Sequence, residues 1–303
     1  MHSIAIIGQG RMGRTHAEAW SDLGLADNIR YVCTPRPGAP LDHAPSARFV
    51  TELDDVLADD EVDILSVCTP TPTHASIAIR ALEAGKNVLL EKPIALGVDE
   101  AHAIAEAAAN STATLMVAHV VRFFRGYQEL RETADAGGLG PVRSVDASRL
   151  SALSRGQSWL DDESLSGGVL VDFAIHDFDQ LNLFLGTPAQ ITAVQRGDHG
   201  RTLTTVEYVG GGVGRVETCS RMPPGHAFES SLRIEGANGS ESFRYVDEAS
   251  DDRPYRRQAA YFLHCIEHGV PPVLCPTDAA VLALRVSLAA HESLRRNRTV
   301  MLP

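Results

Sequence analysis

The chain has 303 residues, of which 44% are hydrophobic and 22% are charged, and its formal net charge is −12. This length predicts roughly two globular domains, and the acidic balance argues against a nucleic-acid-binding protein, whose surface is usually basic. No apolar run approaches the roughly 20 residues of a membrane-spanning helix, so neither a nucleic acid nor a membrane is an expected partner.

The five cysteines are scattered, and none belongs to a CxxC or Cys/His cluster. Disulfide frameworks and structural zinc sites are therefore not expected, and no metal site is predicted. The first apolar run, residues 4–7, is too short for a signal peptide and lacks the basic flank of one. These features together predict a cytoplasmic location.

Residues 3–7 have the pattern of a short buried strand, and the run Gly8-Gln9-Gly10-Arg11-Met12-Gly13 follows at once. Residues 14–24 then predict a helix. A strand, a G-x-G-x-x-G turn and a helix form the dinucleotide-binding fingerprint, because the glycines let a pyrophosphate approach the backbone at the helix N-terminus. The motif alone also fits a glycine-rich turn without a ligand, but its context favours nucleotide binding.

The residues that follow the second predicted strand, 29–33, favour NADP over NAD. An NAD-selecting carboxylate is expected about 20 residues after the glycines. The chain instead has Thr34 and Arg36 there, and the next acidic residue is Asp42. A hydroxyl and a guanidinium suit a 2′-phosphate better than a free 2′-hydroxyl. The alternative is that Arg36 is an ordinary solvated loop residue.

Short apolar runs alternate with helical patterns as far as residue 118. The predicted strands are residues 3–7, 29–33, 48–50, 62–68, 87–90 and 113–118. This alternation predicts an α/β Rossmann fold with a doubly wound parallel sheet. Ligands on such sheets bind beyond the carboxyl ends of the strands, which here carry residues 69–74, 91–93 and His119. Lys92 is a candidate because a proline follows it and holds its backbone extended; the alternative is a solvated surface lysine.

The pattern changes after residue 118. A helix is predicted over 121–136 with an interruption at Gly126, followed by strands over 142–153 and, from 190 to 246, at intervals typical of an antiparallel sheet. Two helices close the chain. We therefore predict a dinucleotide-binding domain over residues 1–119 and an α+β domain with an open, mostly antiparallel sheet over 120–303. An alternative for the last helix is that it packs on the first domain.

Between these regions, two glycines precede a segment in which Asp172 and His176 lie four residues apart. In a helix these two side chains point the same way. A carboxylate beside an imidazole can orient the ring and suits general acid–base chemistry near neutral pH. The alternative is a helix start, with Asp172 near the N-cap and His176 as an ordinary amphipathic residue.

These motifs resemble the Gfo/Idh/MocA oxidoreductases, which are named for glucose–fructose oxidoreductase and inositol dehydrogenase. The resemblance rests on runs spread through most of the chain: GQGRMGRTHA, TPTPTHA, AGKNVLLEKP, HVVRFFRGY, GGVLVDFAIHDFD, LGTP and LAAHESLRRNRTV. The EKP run and the GG-x₃-D-x₃-H run, in this order behind a dinucleotide fingerprint, are a specific combination.

The resemblance implies that Lys92, Asp172 and His176 converge at the nicotinamide. It implies that His176 takes the hydroxyl proton, that Lys92 polarises the reacting oxygen and that Asp172 orients its neighbours. Arg122 and Trp159 join these three as expected substrate-binding residues. The expected cofactor-binding residues are Gly8, Gln9, Gly10, Arg11, Met12, Gly13, Thr34, Arg36, Thr69, Pro70, His74, Glu91, Lys92 and His119.

The family often has Asn where Thr71 stands. The run around His176 resembles inositol dehydrogenases, whereas Trp159 resembles the sugar-dehydrogenase members, so inositols and aldoses both stay open as substrates. Two other functions occur with this fold: a non-catalytic nucleotide-binding regulator and an NAD-dependent glycosidase. The resemblance also implies a homodimer or homotetramer assembled through the C-terminal sheet.

Overall fold

The computed structural model describes residues 2–152, 162–197, 200–246 and 252–303. Its contacts divide the chain into two compact units. The first comprises residues up to Phe123 together with Arg253–Val281, and the second comprises Phe124–Asp252 and Leu282–Pro303. Among the described residues, no helix is both long and apolar enough to cross a membrane.

The described residues form nine α-helices, which are distributed over both units. They are α1 (Arg11–Ser21), α2 (Leu53–Leu57), α3 (His74–Glu83), α4 (Val98–Asn110), α5 (Arg125–Asp135), α6 (Glu163–Ser166), α7 (Ile175–Leu185), α8 (Pro254–His268) and α9 (Thr277–Arg296).

The first unit is built on a six-stranded parallel sheet. Its strands are β1 (Ile4–Ile7), β2 (Ile29–Cys33), β3 (Arg48–Val50), β4 (Ile64–Val67), β5 (Asn87–Glu91) and β6 (Leu115–Ala118). Their order is β3-β2-β1-β4-β5-β6, which is the doubly wound order of a Rossmann fold. The predicted fold class of this half is confirmed. Because the order reverses between β1 and β4, the carboxyl ends of these two strands flank the usual ligand crevice.

The core of the first unit includes a helix that the sequence assigns to the second domain. Trp20 of α1 and Phe262 of α8 are fully buried in the same hydrophobic cluster. The predicted boundary after residue 119 therefore differs from the structure: α8 and the first residues of α9, as far as Val281, belong to the first unit. Periodicity identifies such a helix but carries no information on which sheet its apolar stripe covers.

The second unit contains a seven-stranded sheet. Its strands are β7 (Val142–Leu150), β8 (Pro188–Gln195), β9 (Thr202–Tyr208), β10 (Val213–Cys219), β11 (Glu229–Gly236), β12 (Ser240–Val246) and β13 (Val300–Met301). The order is β12-β11-β7-β10-β9-β8-β13. Every neighbouring pair is antiparallel except β7 and β10, which run parallel. The predicted mostly antiparallel sheet is thus confirmed.

Helix α7 packs very closely on this sheet. A Cβ atom added at Gly214 of β10 would lie 2.3 Å from Leu181 Cδ2, and one added at Gly212 would lie 2.7 Å from Leu185 Cδ2. The two glycines thus leave the space that α7 occupies. This contact holds the segment that carries the predicted Asp/His pair against the centre of the sheet.

The predicted helix over 121–136 is interrupted at a different residue. Residues Val120–Phe123 form a 3₁₀ turn, and α5 begins after the extended Phe124. Gly126 lies inside α5, where an added Cβ would meet the Phe243 ring at 2.1–2.5 Å. The glycine therefore allows close packing of the helix on β12. A sequence carries no information on this packing, so Gly126 was interpreted from its low helix propensity as an interruption of the helix.

Candidate functional site

The glycine fingerprint forms a tight turn between β1 and α1. Gly8 has φ +102°, and an added Cβ there would lie 2.6 Å from the carbonyl oxygen of Cys68. A Cβ on Gly13 would lie 2.0 Å from the carbonyl oxygen of Gly8, whereas one on Gly10 would meet no atom within 4 Å. Gly10 is the N-cap of α1 and leaves the first backbone N–H groups without a side-chain cap. This open, uncapped helix N-terminus fits the pyrophosphate of a dinucleotide.

The loop after β2 lies beside the fingerprint. Gln9 Oε1 accepts a hydrogen bond from the Gly38 backbone N–H at 2.7 Å, and its amide nitrogen donates to the Ala39 carbonyl. Thr34 is buried and Arg36 is exposed. Gln9 therefore connects the fingerprint to the loop after β2. The sequence predicts that this loop recognises the adenosine ribose.

A cleft of about 500 Å³ opens beside the first two turns of α1. It is lined by Gln9, Gly10, Arg11, Arg14, Thr15, Ala17, Glu18, Leu41, Asp42 and His43. The loop thus brings Asp42, the first acidic residue after β2, to the same cleft as two arginines. Sequence spacing did not identify Asp42 as a site residue, because it lies well beyond the end of the strand.

Lys92 follows directly on β5, at the same edge of the sheet as the fingerprint. Its side chain is half-buried, and the Lys92–Pro93 peptide bond is cis. The backbone N–H of Lys92 donates to Glu91 Oε2 at 3.2 Å. The other carboxylate oxygen, Glu91 Oε1, lies 2.9 Å from His16 Nε2, on a residue of α1. The residue that precedes the predicted catalytic lysine thus belongs to a buried ion pair.

His16 and Glu91 each shift the pKa of the other towards its charged form. Burial by itself lowers the pKa of His16, but its contacts with Cys68 and Glu91 raise that pKa to about 10. Burial alone would raise the pKa of Glu91, yet the hydrogen bond and charge of His16 bring it below the usual value. Burial raises the pKa of the Cys68 thiol, and the charge of His16 opposes that rise. At neutral pH the site therefore contains an imidazolium and a carboxylate.

His74, at the start of α3, holds the other side of Lys92. Its Nδ1 lies 2.8 Å from the Pro93 carbonyl oxygen and its Nε2 lies 3.0 Å from the Thr69 carbonyl oxygen. Burial lowers the pKa of His74, and the hydrogen bonds to the carbonyl oxygens of Thr69 and Pro93 oppose that shift. Both ring nitrogens face backbone atoms of the protein, and the predicted contact of His74 with a cofactor stays a prediction.

The remaining predicted residues of the first unit lie at or near the carboxyl ends of its strands. Thr69 and Pro70 follow β4, and Thr69 Oγ1 accepts a hydrogen bond from Thr73 at 2.7 Å. His119 follows β6 and is buried. Arg122 is also buried, and its guanidinium donates to the Leu274 carbonyl at 2.7 Å. This bond ties Arg122 to the segment after α8, and its predicted role in substrate binding stays a prediction.

In the second unit, the segment with Asp172 and His176 is helical but is not one α-helix. Gly167 and Gly168 both have φ +76°, a wide π-turn spans Val169–Phe173, and α7 begins at Ile175. The Ala174 N–H donates to the Val169 carbonyl, five residues back. The pair therefore straddles the change from π to α geometry, so the two residues do not belong to one regular α-helix. Both side chains are half-buried.

A buried ion pair fixes the start of α7. Arg149 Nε lies 2.8 Å from Asp177 Oδ2, and Arg149 Nη2 lies 2.9 Å from Asp177 Oδ1. The guanidinium also lies 5.7 Å from the ring centroids of Phe173 and Phe228. Burial raises the pKa of Asp177, and Arg149 opposes that rise. Arg149, at the end of β7, thus contacts Phe173 before Ala174 and Asp177 after it.

Two predictions concern the rest of the site. Trp159 lies outside the described residues. Among the residues that the structure describes, no group of three or more His, Cys, Asp or Glu side chains is arranged to hold a metal ion.

Sequence reasoning missed His16, Arg149 and Asp177. His16 stands three residues after the last fingerprint glycine, a spacing that by itself is also typical of an ordinary α1 residue. Arg149 and Asp177 are separated by 28 positions, and only the fold brings them together.

An NAD-binding Rossmann unit followed by an α+β unit defines a class of two-part oxidoreductases. Residues 2–119 match the model of the oxidoreductase family with an NAD-binding Rossmann fold, and residues 127–241 match the Gfo/Idh/MocA C-terminal domain. The chain therefore belongs to the Gfo/Idh/MocA oxidoreductase family, and the resemblance seen in the sequence is confirmed. The expectation of an oxidoreductase is confirmed with it.

Curated relatives align along nearly the whole chain. The scyllo-inositol 2-dehydrogenase (NAD(+)) of Bacillus subtilis strain 168 is 28% identical, over 98% of this chain and 95% of the relative. The myo-inositol 2-dehydrogenase of Thermotoga maritima is 24% identical, over 99% and 98%. A solved structure described as a putative myo-inositol dehydrogenase from Sinorhizobium meliloti 1021 covers 100% of both chains with a TM-score of 0.86 and 24% identity, which shows the shared fold.

The fingerprint glycines lead to a first prediction. Gly13→Ala should destabilise the first unit, because its Cβ would meet the Gly8 carbonyl oxygen at 2.0 Å. Gly10→Ala should leave the melting temperature unchanged, because the space around Gly10 is empty in the protein alone, but should weaken NAD binding about tenfold or more by blocking the pyrophosphate. Thermal unfolding and NAD titration by intrinsic fluorescence check both effects. Unchanged NAD affinity in Gly10→Ala would place the pyrophosphate elsewhere.

Proposed function

We propose that the protein is an NAD(P)-dependent dehydrogenase that oxidises a secondary hydroxyl of a cyclic polyol or sugar, or reduces the corresponding carbonyl. The observation that carries this proposal is the placement of Lys92. It follows the carboxyl end of β5 at the sheet edge that also carries the fingerprint, and its backbone N–H donates a hydrogen bond to Glu91. A lysine at this edge is within the region where such sheets bind their ligands.

The roles proposed for three residues follow from the chemistry of alcohol oxidation. When bound, the nicotinamide accepts a hydride from the substrate carbon. His176 takes the hydroxyl proton on a ring nitrogen, and the ammonium of Lys92 lowers the free energy of the alkoxide character that develops on the oxygen. Asp172 orients its neighbours. In the reverse direction His176 returns the proton to the same oxygen.

The comparisons support a cyclic polyol as the substrate class. Two relatives that align over 98–99% of the chain are named as dehydrogenases of inositols. A relative that is 25% identical over 80% of the chain is named levoglucosan dehydrogenase, which keeps sugars in the class. We propose an inositol-type ring as the first substrate to test and sugars as the second.

Replacing the proposed base tests the mechanism. His176→Ala should lower kcat by roughly 10²–10⁴-fold, because positioned proton transfer contributes about that much. The control is His102→Ala, since His102 is exposed on α4 of the first unit. The rate of nucleotide reduction is measured with each member of a panel of inositols and aldoses as the substrate. Turnover of His176→Ala equal to wild type would remove His176 from this role.

The panel also separates the proposed dehydrogenase from the two other functions that occur with this fold. A regulator would bind nucleotide without turnover of any substrate. A glycosidase would release a sugar without net reduction of the nucleotide. Net reduction that depends on an added polyol or sugar supports the dehydrogenase.

We further propose that the site prefers NADP. Support comes from the exposed Arg36 and the hydroxyl of Thr34 at the end of β2; the competing group is Asp42, which lines the fingerprint cleft. If Arg36 binds a 2′-phosphate, Arg36→Ala should weaken NADP binding by about tenfold and leave NAD binding unchanged, because a charge-assisted hydrogen bond is lost. If Asp42 instead selects a free ribose hydroxyl, Asp42→Asn should weaken NAD binding.

Fluorescence titration of the wild type and both variants with NAD and NADP distinguishes these two outcomes. Tighter binding of NAD than of NADP by the wild type would overturn the proposed preference.

The proposed assembly is a homodimer or homotetramer formed through the seven-stranded sheet. Its support is the exposure along β12, where the residues from Ser240 to Val246 are exposed or half-buried although each pairs with β11. Charge reversal at exposed Glu241 of this strand should weaken association. Sedimentation velocity measures the result, and a wild-type monomer at every concentration would contradict the proposal.

A further inference from the structure

The backbone on each side of Lys92 is held by a buried histidine from a different helix. His16 of α1 bonds to Glu91, the residue before Lys92, at 2.9 Å. His74 of α3 contacts the carbonyl of Pro93, the residue after it, at 2.8 Å. The residues before and after Lys92 are therefore both fixed by contacts with buried histidines.

The carboxylate of Glu91 is the centre of this arrangement. It is 5% exposed and acts as the acceptor for two donors, the ring of His16 and the backbone N–H of Lys92 itself. A buried carboxylate is costly unless each oxygen is hydrogen-bonded and its charge is balanced. Glu91 is thus held in one position by an oppositely charged partner, and the amide of Lys92 is aligned to it.

His16 connects this carboxylate to the nucleotide fingerprint. It lies one helical turn after Gly13 on α1, is 2% exposed and donates from Nε2, since a carboxylate only accepts. The titratable groups around Glu91 are His16 from α1, Cys68 after β4, His74 from α3 and Lys92. The centroid of the Tyr255 ring of α8 lies 6.5 Å from the centroid of the His16 ring, and the two rings are tilted by 53°.

We propose that His16 and Glu91 form a positioning pair that sets the backbone of Lys92 relative to the helix that carries the fingerprint. The catalytic consequence rests on the function proposed above for Lys92. A change of the pair then alters the placement of the lysine without altering its chemistry.

A second α1-to-sheet hydrogen bond provides a matched control. Trp20 Nε1 donates to Ser66 Oγ of β4 at 2.9 Å, and both residues are fully buried. Ser66→Ala removes this bond, so it loosens the same helix on the same sheet without touching Glu91 or Lys92. A merely structural role for His16 would give the two variants the same effects.

The first test measures backbone amide hydrogen exchange in the full chain, without substrate. The reporter is the Lys92 amide, because its N–H donates to Glu91. In His16→Leu it should exchange about tenfold faster or more, since the carboxylate loses its donor and moves towards water. His16→Gln keeps a donor and should restore most of the protection, and Ser66→Ala should change this amide by less than about twofold at comparable loss of melting temperature.

If His16→Leu does not fold, His16→Asn takes its place, because it keeps a polar side chain but shortens its reach to Glu91. Faster exchange of the Lys92 amide in the His16 variants alone supports the positioning pair. Unchanged exchange in a folded His16→Leu or His16→Asn variant overturns it, and so does an equal increase in Ser66→Ala.

The second test measures turnover with the best substrate of the panel. Misplacement of Lys92 should lower kcat by roughly 10- to 100-fold in His16→Leu or His16→Asn, while the Kd for NAD changes by less than about threefold. His16→Gln should regain most of the loss. Wild-type kcat in a variant with fast Lys92 exchange overturns the catalytic part. If the wild type oxidises no polyol or sugar, the proposed function fails, and the exchange measurement still decides whether the pair positions Lys92.

Discussion

The close approach of α1 to β1 is the constraint on which the first unit depends. An added Cβ on Gly13 would lie 2.0 Å from the Gly8 carbonyl oxygen, so the helix starts as near to the strand as a backbone allows. This approach lets α1 bury Trp20 against the sheet and brings His16 within 2.9 Å of Glu91. The same turn leaves an uncapped helix N-terminus with open space at Gly10. One backbone contact thus sets both the nucleotide end of the helix and the support beneath Lys92.

Each unit holds its predicted catalytic segment with a buried ion pair. In the first unit the pair is His16–Glu91, and in the second it is Arg149–Asp177. Neither is an economical way to stabilise a fold, because desolvation of both charges offsets much of their attraction. Such a pair instead fixes the orientation of the side chains, because a charged, hydrogen-bonded contact allows fewer geometries than an apolar contact. Both pairs stand next in sequence to a residue with a proposed catalytic role.

Much of the fold follows from local pattern. The strand–glycine–helix order at Gly8–Gly13 and the buried runs up to Ala118 specify the Rossmann sheet, because parallel strands covered on both faces are apolar throughout. The antiparallel strands likewise follow from their spacing. The membership of α8 in the first unit could not be predicted, since an apolar stripe does not name its partner. The π-turn at Asp172 depends on two left-handed glycines and on packing over Gly214.

The candidate site divides in the same way. Lys92, Asp172 and His176 were selected as candidates because short motifs surround them. His16, Arg149 and Asp177 were missed because each pairs with a residue that is distant in sequence: Glu91 lies 75 positions from His16, and Asp177 lies 28 positions from Arg149. Long-range pairing of this kind is decided by topology and side-chain reach, and single-sequence periodicity contains neither.

The parallel pairing of β7 with β10 has a consequence for how the second unit folds. Since β7 and β10 run in the same direction, the chain between them must cross over the sheet, and that crossover contains α7 with the Asp172–His176 segment. Strands β8 and β9 and helix α7 separate β10 from β7 in the chain, and such a nonlocal pairing raises the contact order and slows folding. The segment with the proposed base is therefore completed by a nonlocal strand pairing, so a chain that has formed only its local hairpins has not yet built this part of the site.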